Sequence, residues 1–375
     1  MPLPRPVEPE LVSVGPDEVV VTASSAPEAM LTTRVGDHEV TTTGPFHVAR
    51  ATGLEPDREY ELEVDGVEHH EFLPPSVRTL ARPSGRLLAT VATTNDVHFG
   101  EVECGATGDP ASDAIGPILR AAPGDPPYPE VMNGAVIDEI SELRPDVALV
   151  KGDLTNIGSE AEYDAFLTAY GRLGDRMRHV RGNHDAMIDP TMAIEDSPYA
   201  VTVDGATLAV LDTVTPGTDR GRLPTDQLRW LDELAAATSG PILAFGHHNV
   251  FDVEHGRRSG KPYFGINAED SDALVDVFAK HENLVGYFAG HTHRNRVRRF
   301  TRARLVPFGE VACVKDYPGA WAEYRVYEGG YTQVMRRVRA HDAFAWAEKT
   351  RAMYAGVYRD YALGPLDHRC FTQRF

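Results

Sequence analysis

Five short polar motifs contain side chains of the types that bind metal ions in proteins. Each motif directly follows an apolar run and carries Asp, Asn or His. Carboxylate, amide and imidazole groups supply the mixed oxygen and nitrogen ligands that Mn, Fe, Zn and Co accept. In chain order the motifs are TTNDVHFG (93–100), KGDLTN (151–156), RGNHDA (181–186), FGHHNV (245–250) and AGHTHR (289–294).

A single motif of this kind would be weak evidence for a metal site. Gly-Asp in KGDLTN is also a common way for a chain to leave a sheet and turn, which would leave Asp153 without a chemical role. A turn does not explain why successive apolar runs all end in metal-capable side chains. The five motifs together therefore favour a metal-dependent site.

The elements that would position these motifs follow RPSG at 82–85. Apolar runs such as LLATVATT, DVALV and ILAFG alternate there with segments of helical periodicity such as TDQLRWLDELAAA. This alternation predicts an α/β region with a largely buried sheet. Because ligands of such sheets bind where loops leave the carboxyl ends of strands, we expect the motifs to meet at one edge.

The stretch from about residue 11 to residue 80 has a different pattern. Short Val- and Thr-rich segments separated by Gly, Pro and Asp are typical of an all-β sandwich. Leu54, Pro56 and Tyr60 have the spacing of a tyrosine corner, in which a tyrosine hydroxyl bonds to the chain just upstream. The stretch resembles a fibronectin type III module. We predict three units: this sandwich at 1–84, the α/β domain at 85–340, and a helical extension at 341–375 that packs on it.

The ordered motifs D-x-H, G-D, G-N-H-D, H and G-H-x-H lie within residues 87–310. In this order they resemble the signature of the calcineurin-like metallophosphoesterase family. The resemblance implies a four-layer α/β sandwich in which two mixed sheets are flanked by helices. It also implies an enzyme that hydrolyses phosphoesters with two metal ions, through attack of a metal-bridging hydroxide on phosphorus.

Carried over position by position, the resemblance implies two metal sites that share Asp153. A carboxylate has two oxygens and can bridge ions about 3.5–4 Å apart. The expected cofactors are two divalent ions of Mn, Fe, Zn or Co, and the sequence does not choose among them. The first ion would be held by Asp96, His98, Asp153 and His293, and the second by Asp153, Asn183, His247 and His291.

By the same resemblance, His184 would face the substrate and protonate the leaving alkoxide or stabilise developing charge. Asp185 would orient and charge that imidazole, or it would be a plain turn carboxylate. His247 is preferred over His248 as the ligand because the family's ligand is the first histidine after the strand. His248 would then lie behind the ligands or beside the substrate. Relatives with a double histidine usually continue with Pro, whereas this chain has Asn249.

Asn156 distinguishes this sequence from the purple acid phosphatases. Those enzymes also have a fibronectin-like module ahead of a metallophosphoesterase domain. Those enzymes carry a tyrosine three residues after the bridging Asp, at the position of Asn156 here. The motifs resemble instead bacterial cyclic-nucleotide and glycerophosphodiester phosphodiesterases, and we predict a phosphodiesterase for small diesters of these classes. The alternatives are a phosphomonoesterase and an inactive scaffold that binds proteins through its N-terminal module. The complete set of ligands argues against the scaffold.

Composition sets bounds on partners and location. The sequence is 42% hydrophobic and 25% charged, as in globular proteins with a sizeable core. Its net charge of −19 disfavours nucleic-acid polymers and anionic membranes as partners. The sequence has no secretory signal, no transmembrane run and only three scattered cysteines. We therefore expect a cytoplasmic protein with a small phosphoester substrate.

Two further segments have predicted places. Residues 100–129 form an insertion rich in Gly, Pro and Ala directly after the first motif. This insertion would either form part of the rim of the site or be a plain surface loop. The C-terminal stretch DAFAWAEKTRAMYAGVYRDY has aromatic residues and Ala at helical spacing, and we assign it a packing role.

Overall fold

A computed structural model describes residues 8–109, 116–194, 197–251 and 263–375. Residues 110–115 of the insertion lie outside the described residues, so the predicted place of the insertion at the rim stays a prediction. The β structure of the described chain comprises two small antiparallel sheets followed by two six-stranded sheets. Among the described residues, no helix combines the length and the apolar character needed to cross a bilayer.

From residue 8 onward, the N-terminal region contains seven short strands in two antiparallel sheets, with the orders β1-β2-β5 and β4-β3-β6-β7. Burial alternates along several of them: the Leu and Val side chains of Met30–Val35 and Glu59–Val64 turn inward, while the Glu side chains of Glu59–Val64 stay exposed. The strands are β1 (Glu10–Val14), β2 (Glu18–Ser24), β3 (Met30–Val35), β4 (His38–Thr43), β5 (Phe46–Thr52), β6 (Glu59–Val64) and β7 (Ser76–Arg78).

Tyr60, at the start of β6, lies where the sequence predicts a tyrosine corner. Its hydroxyl accepts a hydrogen bond of 2.8 Å from the backbone N–H of Glu55, five positions upstream. This bond ties the strand to the loop before it. Leu54, next to the donor, is buried in the apolar core of the region.

The α/β region holds the remaining elements. Its strands are β8 (Leu87–Thr94), β9 (Val147–Lys151), β10 (Met177–Val180), β11 (Tyr199–Val203), β12 (Ala206–Val210), β13 (Ile242–Phe245), β14 (Leu284–Ala289), β15 (Arg296–Arg299), β16 (Pro307–Glu310), β17 (Ala320–Tyr327), β18 (Gly330–Arg337) and β19 (Cys370–Arg374). Its helices are α1 (Tyr128–Leu143), α2 (Glu160–Tyr170), α3 (Thr225–Ala237), α4 (Ala268–Lys280), α5 (His341–Thr350), α6 (Val357–Leu363) and α7 (Leu366–Arg369).

Both six-stranded sheets are mixed. The first has the order β10-β9-β8-β17-β18-β19, in which β8, β9 and β10 run parallel and the others pair antiparallel. The second has the order β11-β12-β13-β14-β16-β15, with β12, β13, β14 and β16 parallel. The parallel strands read as nearly continuous apolar runs because both of their faces are covered.

Three buried apolar clusters define the layers. Val91, Phe245 and Tyr324 belong to a cluster between the two sheets, which therefore pack face to face. The outer face of the second sheet packs against α3 and α4, and that of the first sheet against α1 and α2. The result is the helix–sheet–sheet–helix order that the family resemblance implies.

The C-terminal segment differs in part from a helical extension. Residues 341–369 contain α5, α6 and α7, but the chain then enters β19, which pairs antiparallel with β18. The segment thus completes the first sheet as well as packing on it. The physical reason is that the edge of β18 would otherwise leave backbone N–H and C=O groups without partners. The helix and strand propensities of residues 341–375 do not show that this edge is available.

Buried ion pairs join the N-terminal region to the α/β region. Glu10 of β1 is 2% exposed and accepts bonds from Arg351 at 3.1 Å and from Arg359 at 2.6 Å. The hydroxyl of Tyr317 donates to the other carboxylate oxygen at 2.9 Å. Each oxygen of this buried carboxylate therefore has a donor from the α/β region.

Glu18 of β2 is neutralised in the same way. It is 2% exposed and pairs with Arg336 at 2.5 Å, with Arg50 at 2.6 Å and with Arg325 at 3.3 Å. Burial alone would raise the pKa of Glu18, but Arg336 and the other arginines lower it to about 2. The interface between the two regions is thus charged, buried and internally paired.

Candidate metal centre

The five polar motifs lie at the carboxyl ends of five parallel strands. Asp96, Asp153 and Asn183 follow β8, β9 and β10 of the first sheet, while His247 and His291 follow β13 and β14 of the second. The two edges meet because Lys151 Nζ donates to the carbonyl of Ala289 at 2.9 Å, which connects the end of β9 to the end of β14.

Backbone strain is concentrated at this edge. Five of the seven predicted ligands have φ between 48° and 67°, a left-handed conformation that residues with a side chain adopt rarely. Each such residue costs about 1–3 kcal/mol and persists only where the surrounding structure enforces it. The five are Asp96, His98, Asp153, His291 and His293.

Asp96, His98 and His293 form the first group of ligand atoms, all within 4.8 Å of one another. His293 Nε2 lies 3.5 Å from Asp96 Oδ1. The backbone N–H of His291 donates to both oxygens of Asp96, at 3.1 and 3.0 Å, and the Asn95 amide donates at 2.5 Å. Asp96 is therefore held as an ionised carboxylate with no cationic Lys or Arg bonded to it among the described residues.

Asp153 lies between this group and the next. One of its oxygens, Oδ2, is 3.5 Å from His98 Nε2, and the other, Oδ1, is 3.3 Å from His247 Nε2. The two oxygens of one buried carboxylate thus face histidines on opposite sides. This is the geometry that a shared ligand needs.

The second group lies on the far side of Asp153. His247 Nε2 is 3.1 Å from Asn183 Oδ1, and the rings of His247 and His291 are 5.1 Å apart. His247 Nδ1 donates to the carbonyl of Lys151 at 2.8 Å, which fixes the ring so that Nε2 faces the centre. His248 lies beside the same group, 4.5 Å from the ring of His291.

Several buried nitrogens in this centre lack hydrogen-bond partners among the described residues. They include both ring nitrogens of His98, Nε2 of His291 and Nε2 of His248. A buried polar atom without a partner costs about 1–3 kcal/mol, so a cluster of them calls for a ligand. Carboxylate, amide and imidazole donors with no thiolate at these positions fit two transition-metal ions.

The electrostatics favour cation binding. Burial lowers the pKa of His247, but Asp153 and Asp96 outweigh burial and raise it to about 9. Burial lowers the pKa of His291 to about 3, with His247 acting in the same direction, so this imidazole stays neutral and able to bind a metal. The two carboxylates therefore favour positive charge at the centre, next to the neutral imidazole of His291.

His184 lies at the edge of the centre, with its ring 4.5 Å from that of His98. Its Nδ1 donates to the carbonyl of Asn156 at 2.5 Å. Of the two roles that the sequence leaves open for Asp185, orienting this ring or serving as a turn carboxylate, the first would need a bond that the carbonyl of Asn156 makes here. The reason is local: Asn156 belongs to the loop after β9, which passes beside the His184 turn.

Asp185 has a different set of contacts. Its carboxylate accepts bonds from the backbone of Leu154, Thr155 and Gly182 at 2.7–3.2 Å, and from the Thr155 hydroxyl at 2.7 Å. Burial and the nearby Asp153 raise its pKa to about 6. Asp185 thus connects two ligand-bearing loops, a role closer to the turn carboxylate considered from the sequence.

Sequence reasoning missed two side chains that support the centre. Asn95 donates to Asp96 and to the carbonyl of Val311, and its place directly before Asp96 in the first motif was the available signal. Lys151 bridges the two strand ends from inside the sheet. As the last residue of an apolar strand, it carried no signal for this contact.

Comparisons with known proteins agree with this geometry. A probable cyclic nucleotide phosphodiesterase of Synechococcus is 29% identical over 164 residues, which is 43% of this chain and 62% of the relative. The glycerophosphodiester phosphodiesterase of Enterobacter lignolyticus is 24% identical over 254 residues, 63% of this chain and 89% of the relative. The crystal structure of a dimetal phosphatase from Danio rerio shares the fold, with a TM-score of 0.51 and 13% identity over 68% of this chain and 98% of that chain.

The family assignment rests on the part of the chain that holds the centre. Residues 89–295 match the calcineurin-like phosphoesterase family, and this range includes all seven predicted ligands and His184. The match covers more than half of the sequence. The chain belongs to the calcineurin-like phosphoesterase family.

Proposed function

We propose that this protein is a metal-dependent phosphodiesterase acting on small diesters such as cyclic nucleotides or glycerophosphodiesters. The observation that carries the proposal is the convergence of unpartnered imidazole nitrogens on two buried carboxylates at the carboxyl ends of five strands. The names of the bacterial relatives, cyclic nucleotide and glycerophosphodiester phosphodiesterases, support the choice of substrate class.

Seven side chains would hold two divalent ions of Mn, Fe, Zn or Co. When bound, two such ions polarise phosphoryl oxygens and make water acidic enough to serve as a nucleophile near neutral pH. The site around the ions excludes most solvent, since Asp96, Asp153 and His247 are each at most 2% exposed. The first ion would contact Asp96, His98, Asp153 and His293, and the second Asp153, Asn183, His247 and His291.

His184 is the proposed general acid. Because its Nδ1 donates to the carbonyl of Asn156, the proton that it exchanges with the leaving group is carried on Nε2. The residue is half-buried, whereas the metal-facing carboxylates are fully buried, so it can reach a substrate from the solvent side. Asp185 would hold the loop of Asp153 in a fixed position relative to the loop of His184. It would affect the reaction only through these two residues.

The surrounding organisation forms part of the proposal. The N-terminal region at 1–84 would be a fibronectin type III-like sandwich, on the support of its three- and four-stranded sheets and the Tyr60 bond. The catalytic domain would span 85–340, with 341–375 packed on it. Three buried free cysteines at 104, 313 and 370 support a cytoplasmic location.

A substrate panel tests the proposal. The metal-stripped protein and protein reloaded with Mn, Zn, Fe or Co would be assayed with cyclic AMP, a glycerophosphodiester, bis-p-nitrophenyl phosphate and p-nitrophenyl phosphate. We expect hydrolysis only after reloading, with diesters preferred over the monoester. Asp226→Asn, an exposed carboxylate on α3, serves as a control that keeps activity. A preference for the monoester would identify a phosphomonoesterase, and metal-loaded protein that hydrolyses none of these substrates would indicate a scaffold.

A further inference from the structure

A buried carboxylate outside the predicted ligand set lies directly behind a ligand histidine. Asp316 is 2% exposed and belongs to the loop between β16 and β17. Its Oδ2 lies 3.7 Å from Nδ1 of His293, whose Nε2 faces Asp96 at 3.5 Å. His293 is thus placed between the carboxylate of the metal centre and a second carboxylate on its outer side.

The orientation of the Asp316 carboxylate is set by neutral donors. Its Oδ1 accepts bonds from the hydroxyl of Tyr358 at 2.7 Å and from the thiol of Cys313 at 2.8 Å. Within the described parts of the chain, its Oδ2 has the longer contact with the thiol of Cys104, at 3.6 Å, and the contact with the His293 ring. Because two donors occupy Oδ1, Oδ2 is the oxygen available to the imidazole.

The contact between Asp316 and His293 would affect how His293 binds a metal ion. An imidazole binds a metal ion through Nε2 only when its proton is on Nδ1. A carboxylate next to Nδ1 favours that tautomer, fixes the plane of the ring and makes Nε2 a stronger donor. No Lys or Arg among the described residues forms an ion pair with Asp316. The charge of Lys315 also acts on Asp316, but Lys315 forms its own ion pair with Glu101 at 2.6 Å, so the His293 ring is the basic group paired with Asp316.

We propose that Asp316 is a positioning residue that holds His293 in the orientation and tautomer needed to bind the first metal ion. The proposal rests on the two-metal function proposed above. It goes beyond the family match, because Asp316, Cys313 and Tyr358 all lie after residue 295, where that match ends.

The donors around Asp316 come from separate parts of the chain. Cys104 belongs to the insertion that follows the first motif, and Tyr358 belongs to α6 of the C-terminal segment. The neighbouring Tyr317 bonds to Glu10 of the N-terminal region. Segments without metal ligands of their own thus support one ligand of the centre through Asp316.

His293, Cys313 and Asp316 could also be read as a third ion site, because their ligand atoms lie within 4.8 Å of one another. Cys313 and Tyr358 both donate to Asp316 in the structure, and a cation there would have to displace these donors. His293 would also have to bind ions through both nitrogens. The positioning role requires neither change.

The test is a titration of metal-stripped protein with Mn²⁺ by calorimetry, which reports the number and affinity of the sites. Asp316→Asn keeps the size of the side chain and removes its charge, so one of two sites should bind about 10–100-fold more weakly. The other site, whose histidines do not contact Asp316, should keep its affinity. Tyr358→Phe should weaken the same site by a smaller factor. Tyr354→Phe, in the same segment but not a donor to Asp316, is the matched control.

The outcomes separate this proposal from the proposed function. Wild-type affinity at both sites in folded Asp316→Asn would overturn the positioning role while the two-metal centre stands. If Asp316→Asn does not fold, as judged by circular dichroism, Tyr358→Phe decides: selective weakening supports the role and unchanged binding overturns it. Three ions in the wild type and two in Asp316→Asn would show a third site instead. Two ions bound without hydrolysis of any phosphoester would remove the proposed function but keep the positioning role.

Discussion

Two regions of the molecule bury clusters of charged side chains, and they differ in how the charge is balanced. At the interface between the N-terminal region and the α/β region, Glu10 and Glu18 each meet arginines at 3.5 Å or less. At the metal centre, Asp96 and Asp153 meet histidines, and several histidine nitrogens there have no partner among the described residues. The first cluster is paired within the described chain, whereas the second has the donor groups of a candidate metal site.

The backbone shows the same difference. Glu10 and Glu18 lie in regular strands, whereas Asp96 and Asp153 have φ of 53° and 50°. A strand presents a side chain without strain, so an internal ion pair needs no special backbone. Bringing the predicted ligands of five loops to one place requires conformations that the chain adopts only under constraint. Buried charge with complete pairing needs no ligand, although removal of one partner is costly, whereas buried charge with strain and unpaired nitrogens indicates a ligand site.

The largest expected effect comes from removing the shared carboxylate. Asp153→Asn should reduce phosphodiester hydrolysis to the uncatalysed background and disturb both metal sites together, because an amide cannot supply two anionic oxygens. Metal content by elemental analysis and initial rates with bis-p-nitrophenyl phosphate measure this. Undiminished hydrolysis by the variant or by metal-free protein would show that the centre is not the site of reaction.

The next effect separates ligation from proton transfer. His184→Ala should keep both ions but lower turnover by about 10²–10⁴-fold, the range for loss of a general acid. The loss should be smaller with nitrophenolate leaving groups, which need no proton. Turnover with a series of leaving groups of different pKa measures it. An equal loss across the series would assign His184 to charge stabilisation or substrate positioning.

A substitution of a buried carboxylate at the interface between the two regions should lower the stability of the fold without changing phosphodiester hydrolysis. Glu18→Gln leaves Arg325 and Arg336 with less counter-charge, so the free energy of unfolding should fall by about 3 kcal/mol. Turnover of the folded, metal-loaded protein should stay near that of the wild type. Urea unfolding and steady-state rates, measured on one preparation, test both halves. A large fall in turnover with unchanged stability would remove the distinction between the two clusters.

The smallest effect is the acid sensitivity of the interface. The pKa of Glu18 falls from 4.5 to about 2 on folding, so its stabilising contribution is complete above about pH 4.5. It is lost as the pH falls toward 2, where the folded-state carboxylate takes up a proton. The difference in unfolding free energy between wild type and Glu18→Gln should therefore shrink between pH 5 and pH 3, measured in metal-free protein. A difference that stays constant over this interval would show that Glu18 does not titrate with a lowered pKa.

Part of the site could be predicted from local sequence, because a polar motif after an apolar run shows both where a strand ends and which metal-binding side chains follow it. Asp153 and Asn183 follow apolar runs in GD and GNHD, and the parallel sheet rule is enough to bring such ends together. Tyr60 lies where its spacing from Leu54 indicates, and its hydroxyl bonds to Glu55. The α/β class with a largely buried sheet also follows from the alternation of apolar runs and helical periodicity, whereas the order of the layers was implied by the family resemblance.

Other features depended on contacts between residues far apart in the chain. The ring of His184 is oriented by the carbonyl of Asn156, and any residue could supply a carbonyl, so no side-chain pattern marks it. β19 joins the first sheet because β18 has a free edge, and Asp316 meets His293 across 23 positions of chain. Which residues form such pairs depends on how the sheets and helices pack against one another, and local sequence does not contain this information.

By itself, the sequence determined which residues could bind metal, the strands that carry them and the layered α/β class, because each of these is written in local residue types and their period. Only the tertiary structure decided which nitrogen of His247 faces the centre, which carboxylate stands behind His293, and that Glu10 and Glu18 are paired with arginines. The physical reason is that tautomer, charge balance and strain depend on neighbours in space, which come from loops and strands that the chain brings together only on folding.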